Sequence, residues 1–191
     1  MIKHSNNKTI AVYVFIDASN LWEAQKAKGR FIDFEILKAF LKQRYSAKTL
    51  QVFYYTAYPK EGTREYNTDN KHKFYTYLKK GLNFMVRKKP LKQIRVITEE
   101  GEGIEEKGNM DVELTIDAVN FIQKYDIAVL FTGDSDFLAL INYIRSRGKK
   151  AYIYSSKNNI STELRTGGDG YIDILSIKSG IWRGSIQHRK N

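Results

Sequence analysis

A short apolar run at residues 127–131 is followed at once by two aspartates and then by an amphipathic helical pattern. The two acids, Asp134 and Asp136, stand where a buried strand should end. In an open α/β sheet, ligands bind in the crevice outside the carboxyl ends of the strands, so side chains at such an end point toward a site. A second apolar run, residues 11–16, ends in the same way at Asp17. The two strand ends predict an acidic site at one edge of a sheet.

Apolar runs and helical patterns alternate along the chain. The predicted strands lie near residues 10–16, 50–57, 84–86, 94–97, 127–131, 151–154 and 171–175. Five helices are predicted. They are one capped by Asp33, a polar one that ends near Leu78, one that starts at Asn109, one from Phe137 to Gly148 and a short segment around 160–165. This order predicts an α/β fold with a mainly parallel central sheet and helices on both faces.

Two segments need a choice between alternatives. The acidic, glycine-bearing stretch 99–106 is expected to be a mobile loop. The stretch after Asn109 fits both a strand and a helix, because its apolar residues satisfy either period. We predict a helix, since Asn109 is a plausible N-cap and Asp111 and Glu113 would lie in the first turn, where the helix dipole favours acids.

The length of 191 residues fits one domain. We predict a single domain over residues 1–177 and a basic C-terminal tail of loose structure over residues 178–191. Cysteine is absent, which excludes thiol catalysis and cysteine-ligated zinc and favours a cytoplasmic protein. No stretch approaches the ~20 apolar residues of a membrane span, so no membrane partner is expected, and a homo-oligomer is left open.

The charge of the chain indicates a nucleic-acid partner. Lysine and arginine total 32 against 21 acids, which gives a net charge of +11 and a pI near 9.6. Basic residues concentrate between positions 71 and 95, interleaved with aromatic rings that could stack on unpaired bases. A solvated helix face is the alternative. Tyr58, after the second predicted strand, is a further candidate for substrate contact.

The acids at the strand ends predict a metal site. Asp17, Asp134 and Asp136 can meet Asp111 if the helix that Asp111 begins crosses the same crevice. Clustered carboxylates repel one another, so such a cluster implies a cation or shared protons. Carboxylates are hard ligands suited to Mg²⁺ or Mn²⁺, which can activate a water and stabilise charge on a phosphate. The alternative is that each acid only caps a turn or complements a helix dipole.

Two further residues near the acids are candidates for the site. Asn20 could hold a phosphate through its amide, or it could cap the segment after the turn. Lys107 could meet a phosphate, or it could balance the glutamates around it. Asp117 is left out, because it lies six residues after Asp111 and therefore on another face of the helix.

Four segments together resemble the NYN domain family, also called LabA-like, of the PIN-like nuclease superfamily: residues 15–21, 107–112, 131–137 and 164–173. The resemblance implies a Rossmann-like PIN fold. It also implies a metal-dependent ribonuclease site, carried here by Asp17, Asp111, Asp134 and Asp136, with Asn20 and Thr132 as supporting contacts. The last segment departs from the pattern, since two glycines precede Asp169, and Asp169 is expected to be structural.

Three functions follow from these residues. The first is a metal-dependent ribonuclease that cleaves RNA endonucleolytically with Mg²⁺ or Mn²⁺. The second is an RNA-binding or regulatory NYN module that keeps the acidic pocket without turnover. The third is a phosphatase of the haloacid dehalogenase type, which ranks last because Ser19 stands where that chemistry expects a second aspartate.

Overall fold

The computed structural model describes residues 9–59, 68–98, 101–178 and 180–186. Its strands are β1 Ala11–Asp17, β2 Arg30–Ile32, β3 Thr49–Tyr58, β4 Met85–Pro90, β5 Lys92–Thr98, β6 Gly101–Lys107, β7 Ile127–Phe131, β8 Lys150–Ser155, β9 Gly170–Asp173 and β10 Trp182–Ser185. Its helices are α1 Ala18–Lys28, α2 Phe34–Arg44, α3 Thr68–Thr76, α4 Asp111–Asn120, α5 Leu138–Ser146 and α6 Thr162–Gly167. A π-helical turn, Tyr77–Gly81, continues α3.

Six of the described strands form one parallel sheet in the order β4-β3-β1-β7-β8-β9. The chain moves outward from β1 to β3 and β4, and then returns to place β7 on the other side of β1. The strand order therefore reverses between β1 and β7, where ligands bind in open α/β sheets. In this register Asp17 pairs with Tyr55, and Ile16 pairs with Phe131.

The central sheet is covered by helices on both faces, as predicted. Successive residues of β1 point to opposite sides, so that Val14 belongs to one apolar cluster and Phe15 to the other. The first cluster includes Leu21 of α1 and Leu37 of α2, and the second includes Ile141 of α5. The fold is the predicted α/β fold, and the near-continuous burial of its inner strands is typical of a parallel sheet.

Local capping explains where several helices begin. Asp33 caps α2, and its Oδ1 accepts hydrogen bonds from the backbone N–H groups of Glu35 and Ile36, as predicted. The helix after Asn109 is confirmed, but it begins one residue later than expected. Its N-cap position is Met110, while Asn109 Oδ1 accepts from the backbone N–H of Asp111.

Helix α1 was not predicted. Residues 17–20 were interpreted as a turn after β1, but the turn is the first turn of a helix with Asp17 as its N-cap. The helix buries few apolar side chains, Leu21 and Ala24 among them, so its apolar pattern is weak. Gly29 ends it at φ 68°, a left-handed conformation that favours glycine.

The acidic stretch expected to be a mobile loop is instead largely a strand. From Gly101 onward it forms β6, which pairs antiparallel with β5. Glutamate and glycine are poor strand formers, so the sequence pattern did not indicate it. The partner strand supplies basic residues, and the hairpin exposes Ile97 and Ile104. Glu99 and Glu100 lie outside the described residues.

The tail expected to be loose contributes a strand. Trp182–Ser185, β10, pairs antiparallel with β2, and Ile181 and Trp182 are buried against the first apolar cluster. These two apolar residues anchor the segment on the core, which explains why it is ordered. Residues 179 and 187–191 lie outside the described part of the chain. Among the described helices, none combines the length and the apolar character needed to cross a bilayer.

Candidate active site

Asp17 lies at the carboxyl end of β1, beside the point where the strand order reverses. Its Oδ1 accepts hydrogen bonds from the backbone N–H of Ser19 at 2.9 Å and from the Ser19 hydroxyl at 2.7 Å. Burial raises the pKa of Asp17, the Ser19 hydrogen bonds oppose that shift, and the nearby charge of Asp134 adds to it. The Asp17 carboxylate is thus oriented by the first turn of α1, and it interacts electrostatically with a second acid, Asp134.

Asp134 follows the neighbouring strand, β7. Its side chain caps a single 3₁₀ turn, Ser135–Phe137, because Oδ1 accepts from the backbone N–H of Asp136 at 3.0 Å. Its own N–H donates to Thr132 Oγ1 at 3.2 Å. Thr132 is fully buried, so this residue, expected to contact substrate, instead orients the loop that carries Asp134. Asp134 and Asp136 are both exposed at the edge of the sheet.

Asp111, the first residue of α4, lies across the crevice from these acids. Its pKa is raised to about 6, first by burial and then by the negative charges of Asp17, Asp134 and Asp136, while Lys89 lowers it. The four predicted acids are therefore near enough to interact electrostatically at one edge of the sheet. Their residues come from separate parts of the chain, and the topology brings them together.

The chemistry of this set suits a hard divalent cation, because every side chain is a carboxylate and the charges of three of the acids raise the pKa of the fourth, Asp111. No group of three or more His, Cys, Asp or Glu side chains in the described parts of the chain is placed to hold a metal ion. The Asp111 carboxylate accepts a hydrogen bond from Asn109 Nδ2. Holding an ion would require such side chains to reorient.

A cleft of about 560 Å³ opens beside Asp17 and Asp134. Its opposite wall is a loop after β8, residues 158–161, that sequence reasoning missed. Gly133 allows this wall to pack closely, because a Cβ there would collide with the Asn159 carbonyl oxygen and lie 2.8 Å from Ser155 Oγ. Polar residues directly after the predicted strand 151–154 were the signal that could have found the wall.

Asn20 also lines this first cleft, which we call the polar cleft. It is nearly buried, and its Oδ1 accepts a hydrogen bond from the buried Ser155 hydroxyl at 3.2 Å. With Oδ1 engaged by the serine, Nδ2 is the group of this side chain that can donate to a ligand in the cleft. Asn20 thus occupies the acidic edge, as expected, although it belongs to α1 and does not cap a turn.

A second cleft, about 540 Å³, opens on the other side of Asp17. Asp17 and Ser19 line both clefts, and we call the second one the aromatic cleft because Trp22, Phe74 and Tyr75 line it. Phe74 and Tyr75 belong to the aromatic rings noted between positions 71 and 95 in the sequence. Trp22 was not predicted, because it lies on α1, which was not predicted either.

The two remaining predicted contacts lie farther along the same edge. Lys107, at the end of β6, is exposed and forms an ion pair with Glu105 at 3.3 Å, the charge-balancing alternative. It also borders a cleft of about 390 Å³ beside Asn109. Tyr58 ends β3, and the Lys88 ammonium lies 5.4 Å from the centre of its ring. Neither residue contacts the four acids in a hydrogen bond that the structure records.

The predicted basic surface is partly neutralised by α4. Arg87 donates to the buried Asp117 at 2.9 Å, and Lys89 donates to Glu113 at 2.8 Å. Asp117 also accepts from the Tyr55 hydroxyl at 3.0 Å, which makes it a structural acid, in line with its exclusion from the site. Alternate residues of β4 thus bind α4 instead of facing solvent as one patch.

Comparisons with known proteins give three matches. The NYN domain model matches residues 11–175. The Low amplitude and bright protein LabA of Synechococcus elongatus is 30% identical over 168 residues, covering 88% of this chain and 86% of that protein. The crystal structure of a protein of unknown function from Vibrio parahaemolyticus has a TM-score of 0.69 at 20% identity, covering 93% of this chain and 98% of that chain. The last likeness concerns the fold alone.

Proposed function

This chain belongs to the NYN domain family, and from that premise we propose that it is a metal-dependent ribonuclease that hydrolyses RNA phosphodiester bonds endonucleolytically. The observation that carries the proposal is that the charges of Asp17, Asp134 and Asp136 raise the pKa of Asp111 at the point where the strand order reverses. The structural acid Asp117 instead binds Arg87 and the Tyr55 hydroxyl. An acid whose pKa is raised by other acids at a ligand-binding edge favours a functional site.

RNA as the substrate class is supported by family and by charge. The family is PIN-like and nuclease-like, which supports an RNA-related function. The net charge of +11 favours a polyanionic partner over a small neutral one. Two clefts meet at Asp17, so a strand could pass from one to the other across the acids.

The four aspartates would hold Mg²⁺ or Mn²⁺, which when bound supplies Lewis-acid stabilisation of charge on the phosphate. The remaining roles belong to side chains of the chain itself. Ser19 and the backbone N–H of Asp136 orient Asp17 and Asp134. Asn20, held by Ser155, would donate its amide hydrogens to a phosphate oxygen in the polar cleft. Thr132 keeps the Asp134 loop in place.

A second candidate is an RNA-binding or regulatory module without turnover. Its support is the name of the relative from Synechococcus elongatus, which states no enzymatic activity. The phosphatase alternative finds no comparable support, because Ser19 uses its hydroxyl to orient Asp17. A cytoplasmic location and a homo-oligomer stay predictions.

The deciding experiment compares two Asp-to-Asn variants in the full chain. Asp134→Asn should abolish Mg²⁺- or Mn²⁺-dependent cleavage of a labelled single-stranded RNA while retaining the fold, because an asparagine can keep the cap on the 3₁₀ turn. The matched control is Asp33→Asn, which changes the N-cap of α2 outside both clefts and should cleave normally. RNA binding by wild type with no product at any metal concentration would favour the non-catalytic module. Equal cleavage by Asp134→Asn and wild type would contradict the proposed site.

A further inference from the structure

The aromatic cleft contains features that the ribonuclease proposal does not use. We infer that it binds one unpaired nucleobase of the RNA strand, next to the phosphate held at the acids, so that the substrate must be single-stranded at that nucleotide. The inference rests on the proposed function for the identity of the polymer. It adds a base-binding site that the four aspartates do not require.

The walls of the aromatic cleft have the chemistry of a base-binding site. Trp22 from α1 and the pair Phe74 and Tyr75 from α3 supply the rings, and Leu91 adds apolar surface. The volume of about 540 Å³ falls within the range of small-ligand sites and exceeds the needs of a single side chain. Aromatic side chains bind unpaired bases by stacking, and each stacked base contributes substantially to affinity.

Trp22 is the ring most available to a ligand. It is 41% exposed although a tryptophan is among the residues that gain most from burial, and it lines the same cleft as Asp17. The indole also stacks on Phe31, which is not among the residues that line the cleft, and 6.3 Å separates the two ring centres. The indole is therefore held by a second ring and still open to stacking.

Positive charge lies beside the rings. The Lys88 ammonium is 5.4 Å from the centre of the Tyr58 ring and 5.9 Å from that of Tyr75, so it stands between two aromatic side chains near the cleft. Its neighbours in β4, Arg87 and Lys89, bind acids of α4, and Lys88 points the other way. A cation between aromatic rings suits a nucleotide, which presents a ring and a phosphate together.

Continuity with the acids defines where the base would come from. Asp17 and Ser19 form part of both clefts, so a phosphate near Asp17 has its adjoining nucleoside within reach of the aromatic cleft. A base within a duplex is stacked and paired and would have to leave the helix to enter. The cleft therefore selects for single strands at this nucleotide.

The test measures binding with the cleavage-deficient Asp134→Asn chain, so that turnover does not enter the result. The probes are a short fluorescein-labelled single-stranded RNA, the same RNA in a duplex, and a series in which one nucleotide at a time is abasic. We expect the single strand to bind more tightly than the duplex and one abasic position to weaken binding about tenfold, as the loss of one stacked base should. Adding Trp22→Ala should weaken binding of the intact RNA equally and should remove the sensitivity to that abasic position.

The controls separate base binding from a structural effect. Trp22→Phe keeps a ring and should retain most of the affinity, whereas Ile36→Ala, at a residue equally exposed at 41% on α2, should leave binding unchanged. If all abasic RNAs bind alike to the Trp22-intact chain, or if Trp22→Ala retains full affinity, the base-binding site is overturned while the ribonuclease proposal stands. If the duplex binds as tightly as the single strand, the selection for single strands is overturned. If neither RNA binds, both the base-binding site and the proposed function are overturned.

Discussion

Ser155 and Asn20 are joined by a buried hydrogen bond of 3.2 Å from the serine hydroxyl to the amide oxygen, although 135 residues separate them. The bond links the end of β8 to the first turn of α1 and passes over the end of β7 between them. The ends of β1 and β8, which lie on either side of β7, are thereby connected at the acidic edge. Because the amide oxygen is engaged, the orientation of Asn20 depends on a serine outside the acidic cluster.

Ser155→Ala should lower both stability and cleavage. The free energy of unfolding should fall by about 1 kcal/mol for the lost hydrogen bond. Cleavage should fall more than this loss of stability explains, because the Asn20 amide can then rotate. Urea unfolding and single-turnover cleavage under folded conditions measure the two effects. Ser146→Ala, which removes a hydroxyl bonded to a carbonyl on α5, is the matched control and should cleave normally. Normal cleavage by Ser155→Ala would show that Asn20 needs no such support.

Asp111→Asn should stabilise the metal-free protein at neutral and alkaline pH. The folded protein holds the Asp111 proton with a pKa of about 6, above the ordinary value of 3.8, so the folded state binds this proton more tightly than the unfolded state. The group therefore costs no stability well below pH 4, and the cost develops between about pH 4 and pH 6 and is complete above that range. Since Asp111 is partly exposed, we expect the variant to gain roughly 1 kcal/mol near pH 8 and nothing near pH 4. Chemical denaturation in EDTA measures this.

Glu113→Gln, two residues along the same helix, should change stability in the opposite direction. Burial acts to raise the pKa of Glu113, but the hydrogen bond and charge of Lys89 bring it below its ordinary value. Its contribution to stability is present at neutral pH and is lost on acidification, so Glu113→Gln should be less stable than wild type near neutrality. If Asp111→Asn also proved less stable there, the mutual repulsion of the four acids would be refuted.

Gly133→Ala should destabilise the protein and disturb the polar cleft. The new methyl group would overlap the Asn159 carbonyl oxygen, which is backbone and cannot rotate away. Overpacking of this kind costs about 1–3 kcal/mol, and here the displaced segment is a wall of the site. The melting temperature and the cleavage rate should both fall. Gly103→Ala in β6 is the control, since its Cβ would meet Val96 at an ordinary 3.6 Å. An unchanged melting temperature in Gly133→Ala would mean that the loop moves freely.

The fold class was predictable because buried parallel strands give long apolar runs and the helices between them begin at capping residues such as Asp33. Elements with weak apolar patterns were not predictable. Helix α1 buries few apolar residues, and β6 is rich in glutamate and glycine, so tertiary pairing decides both. Strand β10 depends on Trp182 finding the first apolar cluster, a contact that local sequence does not reveal.

Asp17, Asp134 and Asp136 were predictable from one rule, that polar side chains after buried strands collect at one edge of the sheet. The same rule applied to Ser155 would have found the opposite wall of the polar cleft. Roles that depend on how deeply a side chain is buried were not predictable. Thr132 is adjacent to the acids in sequence, yet its hydroxyl faces inward to the loop. The place of Trp22 in a cleft could not be predicted, because α1, the helix that carries it, was not predicted.

The hairpin of β5 and β6 is fixed at its base. Leu91, before β5, donates its N–H to the Tyr58 carbonyl at 2.8 Å, and Gly108, after β6, is packed so closely that a Cβ would collide with Leu91 and Ala57. Both chain ends of the hairpin therefore meet at the end of β3, just before α4 begins. The hairpin can therefore change in length or composition without displacing Asp111 at the start of α4. Such changes would alter the surface beside the four acids and leave the acids themselves in place.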